Sequence, residues 1–252
     1  MLGAVVTVSV IVPSLNDAEL LEACLAALAV QTRPADEVIV VDNGSTDATA
    51  AVATAAGATV AHEPTRGTMP ATAAGFDAAR GQVLARLDAD SVPPPDWVAR
   101  VAAAFEADPQ LAALTGPGEF YGRSRALHWF AETVYIGGYR WFVGALLGHQ
   151  PLFGSNLALR AAAWQRMRVR VHRERQQVHD DLELSIHLAP DMPVRFDSQL
   201  RVGVSARPFD SLRGLGRRVS WAWLTYTINR DDGSLARRRA EYRAWRAAQR
   251  EA

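Results

Sequence analysis

Glu37-Val38-Ile39-Val40-Val41-Asp42-Asn43-Gly44-Ser45-Thr46-Asp47 is the stretch from which the fold can be read. Four aliphatic residues in a row, without polar alternation, suit a strand covered on both faces, as in a parallel sheet. The Asn-Gly-Ser-Thr-Asp turn that follows also opens a helix, running to about Ala56 with Gly57 as its stop. Upstream, Val8 to Val12 is a run of the same kind. Asn16 and Glu19 then read as N-cap and capping-box partner of a helix with Leu20, Leu21, Cys24, Leu25 and Leu28 at helical spacing. Downstream come a short strand from Ala58 to Ala61, a helix from Thr68 to Arg80 stopped by Gly81, and a strand from Gln82 to Leu87. A helix opened by Pro94 and Pro95 follows, then a fifth strand from Leu111 to Leu114. Alternating strands and helices predict an α/β fold with a mostly parallel sheet and right-handed crossovers. Ligands then bind at the carboxyl ends of the strands: Pro13–Asn16, Asp42–Ser45, His62–Gly67 and Asp88–Ser91.

After Gly116 the alternation stops. Residues 126–148 are rich in aromatics and Gly, Ser155–Arg160 reads as a strand, and Asp181–Leu188 reads as a helix. Val194, Phe196, Leu200, Val202 and Val204 fall on even positions of one long strand, and Ser211–Ala252 reads as helical and Arg-rich. No internal repeat or low-complexity linker divides the 252 residues, so one domain is expected.

All 27 basic residues are Arg. Without Lys, a P-loop ATPase, a pyridoxal-phosphate enzyme and a protein kinase are excluded. The single Cys excludes a disulfide framework and a Cys-based zinc site. The zero net charge hides a split: residues 1–120 hold 5 Arg against 15 acids, and residues 121–252 hold 22 Arg against 12. The acidic front half suits a cation, and the basic rear half suits phosphates, nucleic acid or an anionic membrane. No base-reading module accompanies those Arg, so no nucleic-acid partner is expected. The best candidate for a membrane span, Ala126–Gly148, is interrupted by Glu132 and Arg140. Met1 leads directly into a strand-like run, so no signal peptide is expected.

Three acidic clusters carry candidate chemistry. Asp88-Ala89-Asp90 ends a strand, where alternation places both carboxylates on one face; they can hold a hard divalent cation or cap a turn. Asp42 ends another strand and can accept from a base or ribose, or bond its own turn. His179-Asp180-Asp181 precedes an amphipathic helix and offers a general base or an N-cap.

Together these features resemble glycosyltransferase family 2, the inverting enzymes of the GT-A fold, from about Val8 to Val204. Val8–Asn16 resembles the opening strand and Pro-x-x-Asn turn, bringing Pro13, Ser14 and Asn16 to the donor. Asp36–Asp47 is the most specific match, with Asp42 on the nucleotide base. Asp88-Ala89-Asp90 resembles the DXD motif, with Asp88 and Ala89 at the nucleotide sugar and Asp90, with Asp88, on Mn²⁺ or Mg²⁺. Gly154-Ser155-Asn156 resembles the Gly-x-Asn acceptor-side strand, and Asp180-Asp181-Leu182 the stretch whose second acid is the base. The resemblance thus implies Asp181 as base and Gly154, Asn156, Asp180 and Trp221 on the acceptor side. Ala71-Thr72-Ala73 stands where the family often has Ala-Arg-Asn, leaving Arg66 as the nearest substitute at the diphosphate. The best match to the processive Gln-x-x-Arg-Trp is Arg217-Arg218-Val219-Ser220-Trp221, without the aligned Arg.

The resemblance implies a nucleotide-sugar-binding half (1–120), an acceptor-binding half (121–210) and an Arg-rich helical extension (211–252). The implied activity is metal-dependent, non-processive transfer of a hexosyl group, from a UDP-sugar ahead of a GDP-sugar, to an acceptor hydroxyl. The alternative is an inactive sugar-nucleotide-binding protein, which would have no need of Asp181. The expected location is cytoplasmic, at the inner face of the membrane, with an acceptor of lipid or polyprenyl type. On a helical wheel Leu212, Leu215, Val219, Trp223 and Tyr226 form an inner stripe. Trp221, Leu224 and Ile228 form a second one on the opposite side beside Arg213 and Arg217, for a membrane surface, a homodimer interface or a helix buried on both sides.

Overall fold

The computed structural model describes residues 5–121, 137–206, 212–230 and 235–251. Strands β1 (Val8–Ser14), β2 (Glu37–Asp42), β3 (Thr59–His62) and β4 (Val83–Arg86) alternate with helices α1 (Ala18–Ala29), α2 (Thr49–Ala55) and α3 (Thr68–Ala78). All four strands are parallel, in the spatial order β3-β2-β1-β4. Their apolar runs are continuous because both faces are covered. Val8, Val10, Val12 and Leu87 pack toward α1 and toward α4 (Trp97–Ala107), with Leu21, Cys24, Trp97 and Phe105. Ile11, Ile39, Val41 and Leu84 pack on the other face with Met69 and Phe76 of α3.

The second half breaks the parallel pattern. After β5 (Ala113–Thr115), β6 (Gly118–Tyr121) and α5 (Gly137–Leu147), strand β7 (Leu157–Arg160) inserts antiparallel between β4 and β5. Helices α6 (Ala161–Met167) and α7 (Asp180–His187) lead to β8 (Val194–Phe196), which pairs parallel with β5 and completes a seven-stranded sheet. β9 (Val202–Ser205) pairs with β6 in a separate two-stranded sheet. The expected single strand from Val194 to Val204 is therefore two strands in two sheets. Its even-position pattern arises because Val202 and Val204 are buried in one cluster while Val194 packs against another. Helices α8 (Leu212–Ile228) and α9 (Leu235–Glu251) close the chain.

Two further expectations change. Asn16 is not an N-cap: Asp17 holds that position, and Asn16 adopts a left-handed φ of 54°. Its Oδ1 instead accepts from the Thr46 backbone N–H at 2.7 Å, stitching the β1 turn to the β2 turn. On α8 two residues depart from the expected stripes. Trp223, expected inward, is 66% exposed, whereas Ile228, expected outward, packs against the core. The side chains of Leu212, Arg213, Leu215, Arg217 and Val219, and the aromatics Trp129, Phe130 and Tyr135, lie outside the described residues.

Candidate active site

Register decides what meets at the carboxyl edge of the sheet. Ser14 lies opposite Asp42 across β1 and β2, and Ile11 lies opposite Arg86 across β1 and β4. The ends of these three parallel strands therefore fall side by side, with Asp88 to Ser91 just beyond β4. Because β7 runs antiparallel to β4, Leu157 pairs with Arg86 and residues 154–156 arrive beside Asp88. The Ser155 hydroxyl donates to Asp88 Oδ2 there.

The donor side is built from turns. Asp42 Oδ1 accepts from the Ser45 N–H at 2.9 Å, and its Oδ2 lies 3.3 Å from His62 Nδ1. Asn43, read only as part of a turn, does more. Its Nδ2 donates to the carbonyls of Glu63 and Thr65, and its Oδ1 accepts from Gly67 N–H, pinning the loop that carries Arg66. Arg66 is exposed and donates to the Gly44 carbonyl at 3.2 Å, above the Asp42 turn. Ser14 Oγ is buried with no hydrogen-bond partner among the described residues, and so offers a hydroxyl at the end of β1.

The centre of the site is Arg86, which the sequence reading missed. It is 2% exposed, with Nη1 2.8 Å from Asp88 Oδ1 and Nη2 2.9 Å from Asp180 Oδ2. Asp180 also accepts from the Thr72 hydroxyl at 2.7 Å, tying α7 to α3. Thr72 thus occupies the place of the family's frequent Arg and serves the acid on α7. Burial works against the Arg86 charge, but Asp180, Asp88, Asp181 and Asp90 outweigh it and raise its pKa. The available signal was an Arg inside an otherwise apolar strand, two residues before Asp88 and so on its face.

Asp181 is half-buried beside this centre. Its Oδ2 accepts from the Gly154 N–H at 3.2 Å. Burial and then the neighbouring Asp180 raise its pKa; His179, Arg86 and the Gly154 N–H pull it back only in part. Gly154 has to be a glycine: a Cβ there would stand 2.8 Å from Arg86 Nη1. His179 fixes the approach to the helix, its N–H donating to Thr225 Oγ1 of α8 at 3.0 Å and its ring lying 6.1 Å from Trp221. Asp181 and His179 also line a cavity of about 640 Å³ whose remaining walls are mostly apolar, among them Val143, Leu147, Leu182, Phe196 and Tyr226.

The sequence-selected residues are thus gathered on one edge, with one exception. Asn156 is fully buried, its Nδ2 bonded to the carbonyls of Pro117 and Leu200 and its Oδ1 accepting from Trp97 Nε1. Its amide is consumed inside the protein, because the carbonyls of Pro117, between β5 and β6, and of Leu200, between β8 and β9, need a donor.

The sequence profile of glycosyl transferase family 2 matches residues 9–160, from β1 to the end of β7. The chain belongs to this family. The glycosyltransferase AglE of Haloferax volcanii is 37% identical over 101 residues, covering 37% of this chain and 33% of that protein. An uncharacterised glycosyltransferase of Mycobacterium tuberculosis is 46% identical over 83 residues, covering 33% and 36%. The chain thus spans about a third of the length of these curated relatives. Among solved structures, a mannosyltransferase from Pyrobaculum calidifontis in complex with GDP-Man and Mn²⁺ superimposes with a TM-score of 0.70 at 20% identity, over 98% of this chain and 76% of that one. Glucosyl-3-phosphoglycerate synthase from M. tuberculosis, in complex with Mn²⁺, UDP and glucosyl-3-phosphoglycerate, gives 0.62 at 22% identity, over 87% and 79%. At these identities the likeness establishes the shared GT-A architecture.

Two outcomes follow from the electrostatics. Arg86→Met should cost about 3–5 kcal/mol, because it leaves Asp88 and Asp180 without their buried cation; the urea midpoint checks this. The raised Asp181 pKa means that the folded state holds this proton more tightly than the unfolded state does. Its ionisation therefore costs stability as pH rises through the folded pKa. Asp181→Asn should hold or raise Tm at neutral pH, and the acid limb of wild-type kcat/KM should lie above the ordinary Asp range and fall in Asp180→Asn.

Proposed function

We propose that the protein is an inverting, metal-dependent, non-processive hexosyltransferase acting from a nucleoside-diphosphate sugar, UDP ahead of GDP, onto a hydroxyl of a lipid-type acceptor. The observation that carries this reading is the position of Asp181. It stands between the acidic centre at the end of β4 and the mouth of the apolar cavity, within reach of both. A carboxylate whose pKa is raised toward neutrality is a better proton acceptor than an ordinary Asp, and one positioned base contributes about 10²–10⁴ in rate. A base beyond the donor edge, taking the proton of a hydroxyl that attacks from the acceptor side, fits direct displacement with inversion.

The residues present fit a divalent cation. Asp88 and Asp90 carry the hard oxygen donors that such ions prefer and would hold the ion, with Arg86 and Ser155 orienting Asp88. The ion, when bound, neutralises the charge of the leaving diphosphate. The remaining tasks fall to the chain itself: Asp42 and Ser14 for the nucleoside, Arg66 over the turn, and Arg86 holding Asp88 and Asp180 in place. The two solved relatives were captured with Mn²⁺ and with different nucleotides, one with UDP and one with GDP-Man, which supports the metal and keeps both donors in the test.

The acceptor class follows from the cavity. Among the described residues that line it the one Arg is Arg140, with Cζ 3.5 Å over the Phe196 ring and Nη2 bonded to Gln150. A hydroxyl at Asp181 joined to a hydrocarbon body would fill the rest. Phe142 and Trp223 line this cavity while being 58% and 66% exposed, and Trp141 beside them in sequence is 76% exposed. No helix among the described residues is long and apolar enough to cross a membrane. Exposed aromatics next to an Arg-rich extension, 12 Arg against 5 acids over residues 201–252, suit an anionic membrane surface.

Purified protein assayed with UDP- and GDP-sugars should separate the roles. Asp90→Ala should lose the Mn²⁺-dependent part of nucleotide affinity, whereas Asp181→Asn should keep donor affinity and lose about 10² or more in kcat. Equal nucleotide affinity of Asp90→Ala with and without Mn²⁺, or near-wild-type turnover by Asp181→Asn, would refute these assignments. On anionic phosphatidylglycerol vesicles, binding should weaken with salt and weaken further in Trp141→Ala/Trp223→Ala; absence of binding at low salt would assign the aromatic surface to another chain.

A further inference from the structure

Below the catalytic end of α7 lies a second constellation, away from the carboxyl edge of β4. Three ligand-capable atoms lie within 4.8 Å of one another: one ring nitrogen each from His172 and His187 and a carboxylate oxygen of Glu183. His172 Nδ1 is 2.8 Å and His187 Nε2 is 3.1 Å from Glu183 Oε1. Glu183 and His187 share one face of α7 at an i, i+4 spacing, so a single helix turn presents both. His172 comes from the loop between α6 and α7, placed by its own N–H donating to the same Glu183 oxygen at 2.9 Å.

We propose that His172, Glu183 and His187 form a structural site for a borderline divalent cation of the zinc class, clamping the 168–179 loop onto the helix that carries Asp181. Two imidazoles and one carboxylate are the donor set such ions favour, with a fourth position left for water. Mn²⁺ and Mg²⁺ prefer the all-oxygen donors at Asp90, so ligand chemistry separates the two sites. The outer contacts that orient metal ligands are also present. The second oxygen of Glu183 accepts from Asn229 Nδ2 at 2.6 Å, and Asn229 Nδ2 is itself held by the Thr225 carbonyl on α8 at 2.8 Å. Both Glu183 and His187 side chains are fully buried, whereas His172 is 26% exposed and supplies the entry path. In the metal-free protein the two rings can each donate an N–H to Glu183. On binding, each ring coordinates through the nitrogen that faced Glu183 and carries its proton on the other nitrogen, so a neutral imidazole shifts tautomer and only an imidazolium releases a proton to solvent.

The clamp has a mechanical consequence. His179 and Asp180 lie at the end of the loop that His172 begins to fix, and Thr225, which receives the His179 N–H, sits four residues from Asn229. A bound ion would therefore tie together loop, α7 and α8 immediately behind the proposed base.

The test uses the full chain carrying Asp88→Ala and Asp90→Ala, which removes the oxygen-donor site, titrated with Co²⁺ as a spectroscopic stand-in for zinc. The expected result is one equivalent bound with a visible d–d band of tetrahedral type, displaced by one equivalent of Zn²⁺. Adding His172→Ala should abolish the band, and Asn229→Ala should weaken binding about 10–100-fold. If the Asp88→Ala/Asp90→Ala chain, folded by circular dichroism, gives no band, or if the band survives His172→Ala, the site is a polar cluster closed by protons and the proposal falls. Should Asp88→Ala/Asp90→Ala fail to fold, wild-type chain saturated with Mg²⁺ takes its place, with the same two outcomes. Failure here leaves the transferase reading untouched, because donor affinity and turnover depend on Asp90 and Asp181.

Discussion

A single buried guanidinium holds the catalytic edge together. Arg86 emerges from an apolar strand into a space with almost no water, where an isolated charge would be prohibitive. Its two ion pairs, to Asp88 on one side and Asp180 on the other, make that position tolerable. The dependence is mutual. Asp180 is buried, with Arg86 and Thr72 offsetting its charge, and Asp88 is oriented by Arg86 and Ser155. The end of β4 and the start of α7, proposed as the donor and acceptor sides, are therefore positioned by the same side chain. Gly154 completes the arrangement by leaving room for the guanidinium and by donating its N–H to Asp181.

That arrangement explains which parts of the molecule were legible in the sequence. Runs such as Val38–Val41 declare a doubly covered strand because burial on both faces demands apolar residues at every position, a local and strong requirement. The acids at strand ends were legible for the same reason, since the parallel sheet fixes where its carboxyl edge must be. Arg86 was not, because its justification lies in Asp180, 94 positions along the chain. The fate of Asn156 was hidden similarly: its three partners, Trp97, Pro117 and Leu200, come from three separate segments. Asn16 shows the limit of local signatures. Asn followed by Glu three residues later satisfies the capping-box pattern, yet the turn after β2 offered Asn16 a better partner in the Thr46 N–H. On α8 the helical wheel could not tell which residues faced the protein: Trp223 is exposed and Ile228 packs against the core. Thr225 and Asn229, polar residues absent from either stripe, turn out to mark the inner side through their bonds to His179 and Glu183.

Asp181 is maintained at a cost to the fold. Burial and the adjacent Asp180 disfavour its ionised form, so the molecule would be better served, for stability alone, by a neutral residue there. Proteins tolerate such local conflicts where function requires them. The compensation is spread over Arg86, His179 and the Gly154 N–H, each of which favours the carboxylate without fully restoring its ordinary acidity. A base poised in this way can accept a proton from an attacking hydroxyl more readily than a fully solvated Asp.

The environment on the two sides of Asp181 then divides the work. Toward β4 lie charges and turns, suited to a diphosphate and a cation. Toward α5 and α8 lies an apolar hollow bounded by Val143, Leu147, Phe196 and Tyr226. A charged acceptor body would leave its charges facing hydrocarbon here, with Arg140 the one Arg among the described residues of the wall. Filling the hollow with an apolar acceptor body would instead remove water from the neighbourhood of Asp181. In that drier setting the ion pairs of Arg86 strengthen, and a nucleophile other than water occupies the position facing the donor. Excluding water and recognising the acceptor become one physical event, and it is the apolar wall, rather than any additional charged residue, that would favour transfer over hydrolysis.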